Sequence, residues 1–163
     1  MALSHICRLQ PHLFPTIFER ITPSVYCSTL IEGQPRVQQA LITMLNLALT
    51  ANVFPKINET LLNEENFLPS LIQLHEHHSI VIRGKCLLTF LLLFKLDFRW
   101  MQVVQHQVKF FNMLDRVLRD NYKYVQCCLL CLIDGILEIV PTVFQTVAEE
   151  LSILIAGGVM PKH

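Results

Sequence analysis

The residues best equipped for chemistry in this chain of 163 residues fall in two short clusters, His75-Glu76-His77-His78 and Cys127-Cys128-Leu129-Leu130-Cys131. A zinc-protease helix needs two histidines four residues apart, so that both ligands face one side. Here the spacings are one, two and three, and Ser79 stands where that pattern requires a second histidine. A solvated turn between helices is the better reading. Cys128 and Cys131 form a Cys-x-x-Cys pair, but a zinc ribbon places such pairs in turns and needs a second one. This pair lies inside apolar helical text with no second pair elsewhere. Free cysteine then behaves as a small buried hydrophobe. A metal-binding enzyme fragment using His75–His78 and Cys127–Cys131 remains one alternative, which stoichiometric zinc in the purified protein would favour; the other is a truncated fragment with no independent function, which poor solubility would favour.

Other catalytic patterns are missing. There is no Gly-x-Ser-x-Gly elbow, no phosphate-cradling glycine loop and no kinase signature, and only five glycines are available to build one. Asp134 and Glu138 lie four apart on a helix face, which suits a solvated edge or a hydrogen-bonded pair better than a catalytic dyad.

Charge is unevenly spread. Between residues 83 and 123 stand Arg83, Lys85, Lys95, Arg99, Lys109, Arg116, Arg119 and Lys123, against Asp97, Asp115 and Asp120. Such an excess can form a basic strip that receives an acidic protein tail. The competing reading, a solvated face with local ion pairs, is the more favoured one. Arg83, Arg99, Arg116, Arg119 and Lys123 are the candidate partner-binding residues. Trp100 joins them, because Trp and Arg are enriched at interface hot spots. Its place at a turn between repeats also suits a plug that packs locally.

These side chains must be positioned by helices. Ile82–Phe90 and Val125–Ile133 share their apolar positions at a shift of about 43 residues, and Val37–Leu45 matches the first at a shift of about 45. A second motif recurs as Phe14-Pro15-Thr16-Ile17-Phe18, Leu68-Pro69-Ser70-Leu71-Ile72 and Val140-Pro141-Thr142-Val143-Phe144. Proline suits the first turn of a helix, so each copy marks a start. The pattern predicts helices over about 12–22, 35–50, 56–62, 66–77, 80–96, 106–119, 122–139 and 141–155. The 12–22 and 35–50 helices are read as the first pair. The fold class is all-α, an armadillo/HEAT-type α-solenoid of three to four stacked helix pairs. Residues 1–155 form the repeat region and 156–163 an irregular tail. Cys86–Phe94 is apolar on almost every face, which requires burial on all sides.

Composition agrees with a packed domain. Hydrophobic residues make up 52% and charged residues 16%, with no net formal charge. That excludes disorder over most of the chain and argues against nucleic-acid binding. No apolar run reaches the roughly 20 residues of a spanning helix, and the N-terminus lacks the layout of a signal peptide. The six cysteines read as reduced thiols of a cytosolic protein. Asn58-Glu59-Thr60 is a glycosylation sequon by pattern only. Both ends lack the polar face of a capping repeat, so a fragment of a longer chain is expected.

Four segments carry a family resemblance: Phe14–Arg20, Pro35–Gln39 leading into Leu41–Met44, Leu61–Leu68 with its acidic turn, and Ile82-Arg83-Gly84-Lys85-Cys86. Over about residues 10–100 the chain resembles the C-terminal helical-repeat region of the fourth Unc-51-like kinase family, with its plant RUNKEL-type members. The resemblance implies a longer protein with an N-terminal kinase-like domain, often degraded in its catalytic motifs, and a repeat array tied to microtubule organisation in cilia or dividing cells. No kinase-domain residue occurs here, so no catalytic or nucleotide site carries over. The expectation is a non-catalytic scaffold without cofactor. Its expected partners are tubulin, microtubules or microtubule-associated proteins, with no nucleic acid and no membrane. The expected place is the cytoplasm, with cytoskeletal association.

Overall fold

The computed structural model describes residues 5–6, 9–51, 55–139, 149, 152–153 and 155–157, with side-chain burial left aside at 11, 14, 55 and 56. All regular structure among the described residues is helical. The helices are α1 (Phe14–Arg20), α2 (Pro23–Glu32), α3 (Pro35–Ala51), α4 (Pro55–Leu62), α5 (Phe67–Gln73), α6 (Ile80–Leu96), α7 (Arg99–Gln105), α8 (Val108–Leu118) and α9 (Lys123–Ile139). Single 3-10 turns cover Pro11–Leu13 and Leu74–Glu76.

Local chemistry explains the starts. Pro23, Pro35 and Pro55 each open a helix, where proline's missing N–H has no partner to lose. Thr22 caps α2 by accepting the Val25 N–H at 3.4 Å, and Ser79 caps α6 by accepting the Ile82 N–H at 3.5 Å. The Gly33 N–H closes α2 on the Thr29 carbonyl at 2.8 Å.

The lengths recur in threes: 7, 10 and 17 residues for α1–α3, 8, 7 and 17 for α4–α6, and 7, 11 and 17 for α7–α9. The long helices pack side by side, α3 on α6 and α6 on α9, and the most extensive packing is between α6 and α9. The middle helices make a second row, α2 on α5 and α5 on α8. The rows join within the first and third units, α2 on α3 and α8 on α9, and in the second through the Leu74–Glu76 turn packed on α6. The core lies between them. Phe67, Phe90, Phe110, Leu45 and Leu132 are fully or almost fully buried there, and Phe90 meets Phe110 edge-on at 5.2 Å.

Two glycines let α6 and α9 approach closely. A Cβ on Gly84 would fall 2.3 Å from the Tyr124 ring, and one on Gly135 would fall 2.1 Å from a Leu91 methyl. Each helix thus seats a side chain of the other. The two seats follow the same order along both helices, so the helices run in the same direction.

The structure departs from the sequence reading at three places. Helix α2 went unread because Pro23–Glu32 holds Ser24, Ser28, Thr29, Val25 and Ile31, types with modest helix propensity. It displaces the 12–22 helix as the partner of α3. Helix α7 replaces the turn expected around Trp100. The 66–77 helix stops at Gln73, and its last turn tightens to 3-10. The helix expected at 141–155 is described only at 149, 152–153 and 155, all helical; residues 156–157, expected in an irregular tail, are helical instead, and the Val140–Phe144 motif, Cys7 and 158–163 lie outside the described residues.

Candidate functional site

Consecutive units are joined by polar side chains that reach roughly one repeat along the chain. Gln38, 4% exposed on α3, gives its amide to the Leu30 and Ile31 carbonyls at 2.8 and 3.2 Å. Its amide oxygen Oε1 accepts His77 Nε2–H at 2.8 Å, 39 residues away. The Ser79 N–H donates to His77 Nδ1 at 2.9 Å, which fixes the tautomer. Thr89 donates to Asn46 at 2.6 Å, Asn46 donates to the Lys85 carbonyl at 3.2 Å, and Lys85 reaches Thr43.

A second junction centres on Asn58. Its Oδ1 accepts the Trp100 indole N–H at 2.6 Å, 42 residues away, and its Nδ2 donates to Asp97 at 2.6 Å. Arg99 grips Asp97 at 2.7 Å and also Glu59. The guanidinium holds both carboxyls below their ordinary range. The sequon asparagine is therefore 8% exposed, with both ends of its amide engaged. In the third junction Arg83 pairs with Asp120 at 3.0 Å, the two side chains 13% and 12% exposed. Arg83 also donates to the His77 carbonyl at 2.8 Å.

The proposed partner contacts thus part company. Trp100 is 1% exposed and packs edge-on to Phe67 at 5.5 Å, as a plug between units. Arg83 is spent on Asp120, and Arg99 on Asp97 and Glu59. Arg116 is 63% exposed and pairs with Glu76, and Arg119 is 72% exposed and pairs with Asp115 at 3.2 Å. Lys123 is exposed at the start of α9. Among the described residues no ion pair involves Lys95, Lys109 or Lys123. An uninterrupted basic strip does not form, because acids one unit away neutralise several of its members.

One groove does form. It lies between α5 with its 3-10 turn and α8, holds about 460 Å³, and is floored by Pro69, Ile72 and Met113. Lys109 and Arg116 stand on its α8 side, Gln73, His75 and Glu76 on the other. His75 Nδ1 bonds to the Ile72 carbonyl and must be the donor there, which leaves Nε2 as a buried acceptor without a partner. Glu76 Oε1 lies 3.8 Å from that nitrogen.

The cysteine and histidine clusters do not converge. Cys127 and Cys131 are exposed on α9 while Cys128 is buried beside Tyr124. His77 is committed to Gln38 and Ser79, and His78 stacks on His77 at 4.3 Å. Among the described residues no three His, Cys, Asp or Glu side chains are placed to hold a metal ion. No described helix is long and apolar enough to cross a membrane.

Sequence reasoning missed Gln38, Asn46, Asn58 and Asp120. The available signal was spacing: each lies about one repeat from its partner.

No family model matches the chain, and no solved structure does. Among curated proteins, serine/threonine-protein kinase RUNKEL of Arabidopsis thaliana is 29% identical over 159 residues. The match takes in 95% of this chain and 12% of RUNKEL, so the chain spans a small part of that relative's length.

Proposed function

We propose that this chain is a segment of an armadillo-type α-solenoid in a kinase-related protein and works as a non-catalytic protein-interaction scaffold. The observation that carries the reading is the threefold recurrence of two shorter helices followed by one of 17 residues, joined by polar contacts between residues about 40 apart. A three-helix unit favours armadillo over HEAT repeats, which use two. Stacked units of this kind offer a continuous face on which a partner segment lies.

Lys109, in no ion pair among the described residues, makes the α5/α8 groove the receiving surface for an acidic segment that would compete with Glu76 for Arg116 beside it. The family resemblance directs the partner search to microtubules, whose tubulin tails are acidic. The purified chain should co-sediment with native microtubules, less so as salt rises, and not with microtubules whose tails have been cleaved. Lys109→Glu combined with Arg116→Glu should abolish pelleting while the far-ultraviolet circular dichroism stays unchanged. Absence of pelleting by the folded chain refutes the microtubule assignment. Pelleting that ignores both the tails and the double variant refutes the groove.

A further inference from the structure

The α5/α8 groove holds a polar atom that the fold leaves without a partner. The His75 side chain is 9% exposed, and its Nδ1–H is spent on the Ile72 carbonyl. In the neutral ring Nε2 is then an acceptor, buried and unpaired. Glu76 Oε1 lies 3.8 Å from it and is held there by Arg116. A carboxylate has no proton to give, so Glu76 covers Nε2 without satisfying it. The Glu76–Arg116 pair is exposed at both ends, and such pairs are worth little. A carboxylate from a partner can therefore take Arg116 and let Glu76 swing off the ring.

The rest of the groove says what arrives there. Gln73 on α5 and Asn112 on α8 are exposed on its opposite sides, and neither amide is hydrogen-bonded among the described residues. Each can donate to and accept from the backbone of an extended segment. Lys109 adds an exposed cation, and Pro69, Ile72 and Met113 keep the floor apolar. A side chain that reaches Nε2 in this setting needs a donor at the end of a long apolar body. Serine and threonine hydroxyls stay close to their own backbone. Lysine and arginine are long enough but would meet Lys109 and Arg116. Tyrosine joins an apolar ring to a terminal hydroxyl.

We propose that the α5/α8 groove recognises a tyrosine within an acidic segment. The phenol O–H donates to His75 Nε2, while flanking carboxylates take Lys109 and, in place of Glu76, Arg116. This rests on the groove's being the receiver of an acidic segment, and adds the residue that the groove selects.

Fluorescence anisotropy of the full chain with labelled peptides of glutamate and glycine tests it. The peptides differ only at a central residue, which is tyrosine, phenylalanine or serine. The tyrosine peptide should bind about tenfold tighter than the other two, the worth of one hydrogen bond to a buried acceptor. His75→Phe keeps a ring in place and removes both nitrogens, and should bring the tyrosine and phenylalanine peptides within about twofold of each other. Lys109→Glu should weaken all the peptides by a similar factor, and Glu76→Gln, which loosens the hold on Arg116, should tighten them all. Equal binding of the tyrosine and phenylalanine peptides overturns the proposal, and the acidic-segment reading survives it where Lys109→Glu weakens both. A tyrosine preference that persists in folded His75→Phe also overturns it. Failure of every acidic peptide to bind overturns the proposal and the reading beneath it together. The peptide comparison on the unaltered chain needs no variant, so it decides even where His75→Phe does not fold.

Discussion

Asn58→Ala removes the one side chain that ties the Trp100 indole to the Asp97 carboxylate. Trp100 is 1% exposed, so its N–H cannot turn to water when Oδ1 is gone. A buried donor left without a partner costs about 1–3 kcal/mol. Asp97 loses a bond as well, but it keeps Arg99 at 2.7 and 3.1 Å and the Arg99 backbone N–H at 2.9 Å. The second loss therefore adds only about 1 kcal/mol, and the substitution should destabilise by about 2–4 kcal/mol in all. Trp100→Phe removes the donor itself and keeps a ring near Phe67, so its cost should be smaller than that of both losses added independently. The double variant Asn58→Ala with Trp100→Phe should show a coupling of about 1–2 kcal/mol. Urea unfolding followed by circular dichroism measures all four corners of the cycle. For Asn58→Ala the fluorescence of Trp100, the single tryptophan, reports the same junction. A cost below about 0.5 kcal/mol, or additivity within that margin, refutes the assignment of this contact as the bond between the second and third units.

Arg83→Ala leaves Asp120 largely buried without its cation and should cost about 3 kcal/mol in urea unfolding, whereas Arg119→Ala, on an exposed pair, should stay within about 0.5 kcal/mol. Burial, then His78 and Arg83, hold the His77 pKa below its ordinary 6.5. The unfolded chain therefore takes up that proton first as pH falls, so stability is full above about 6.5 and declines below it. The urea midpoint should fall between about pH 7.5 and about 5.5, and fall less steeply in His77→Gln. Cys127 and Cys131 should label with a thiol reagent in the folded protein, as read by peptide mass mapping. Cys86, its thiol pushed up to about 12 by burial, and Cys27, pushed up to about 11, should label only on unfolding.

The long helices were legible because their signals are local. Pro35 and Ser79 mark starts, and seventeen-residue apolar stretches cannot be accommodated as short strands. Helices α2 and α7 were not, since one is rich in Ser, Thr and β-branched residues and the other makes barely two turns. The charge pattern misled for a different reason. Arg99 and Arg116 find Glu59 and Glu76, each 40 residues upstream. A window narrower than a repeat counts the bases and misses the acids. Reading charges one period apart brings each pair together. The burial of Trp100 depends likewise on Asn58, a residue with no motif around it.

The reciprocal seats at Gly84 and Gly135 set more than a packing distance. Each occupies the space where a single methyl group would stand. A methyl at Gly135 meets only the end of the flexible Leu91 side chain, whereas one at Gly84 presses on the Tyr124 ring and would wedge α6 and α9 apart at that end, turning a translation of an ångström or less into a tilt. The far end of α9 then moves as on a lever arm, with a displacement that grows with its distance from the pivot. The orientation of α9 against α6 thus rests most on the methyl group missing at Gly84, and an alanine there would tilt it while the rest of the core stays in place.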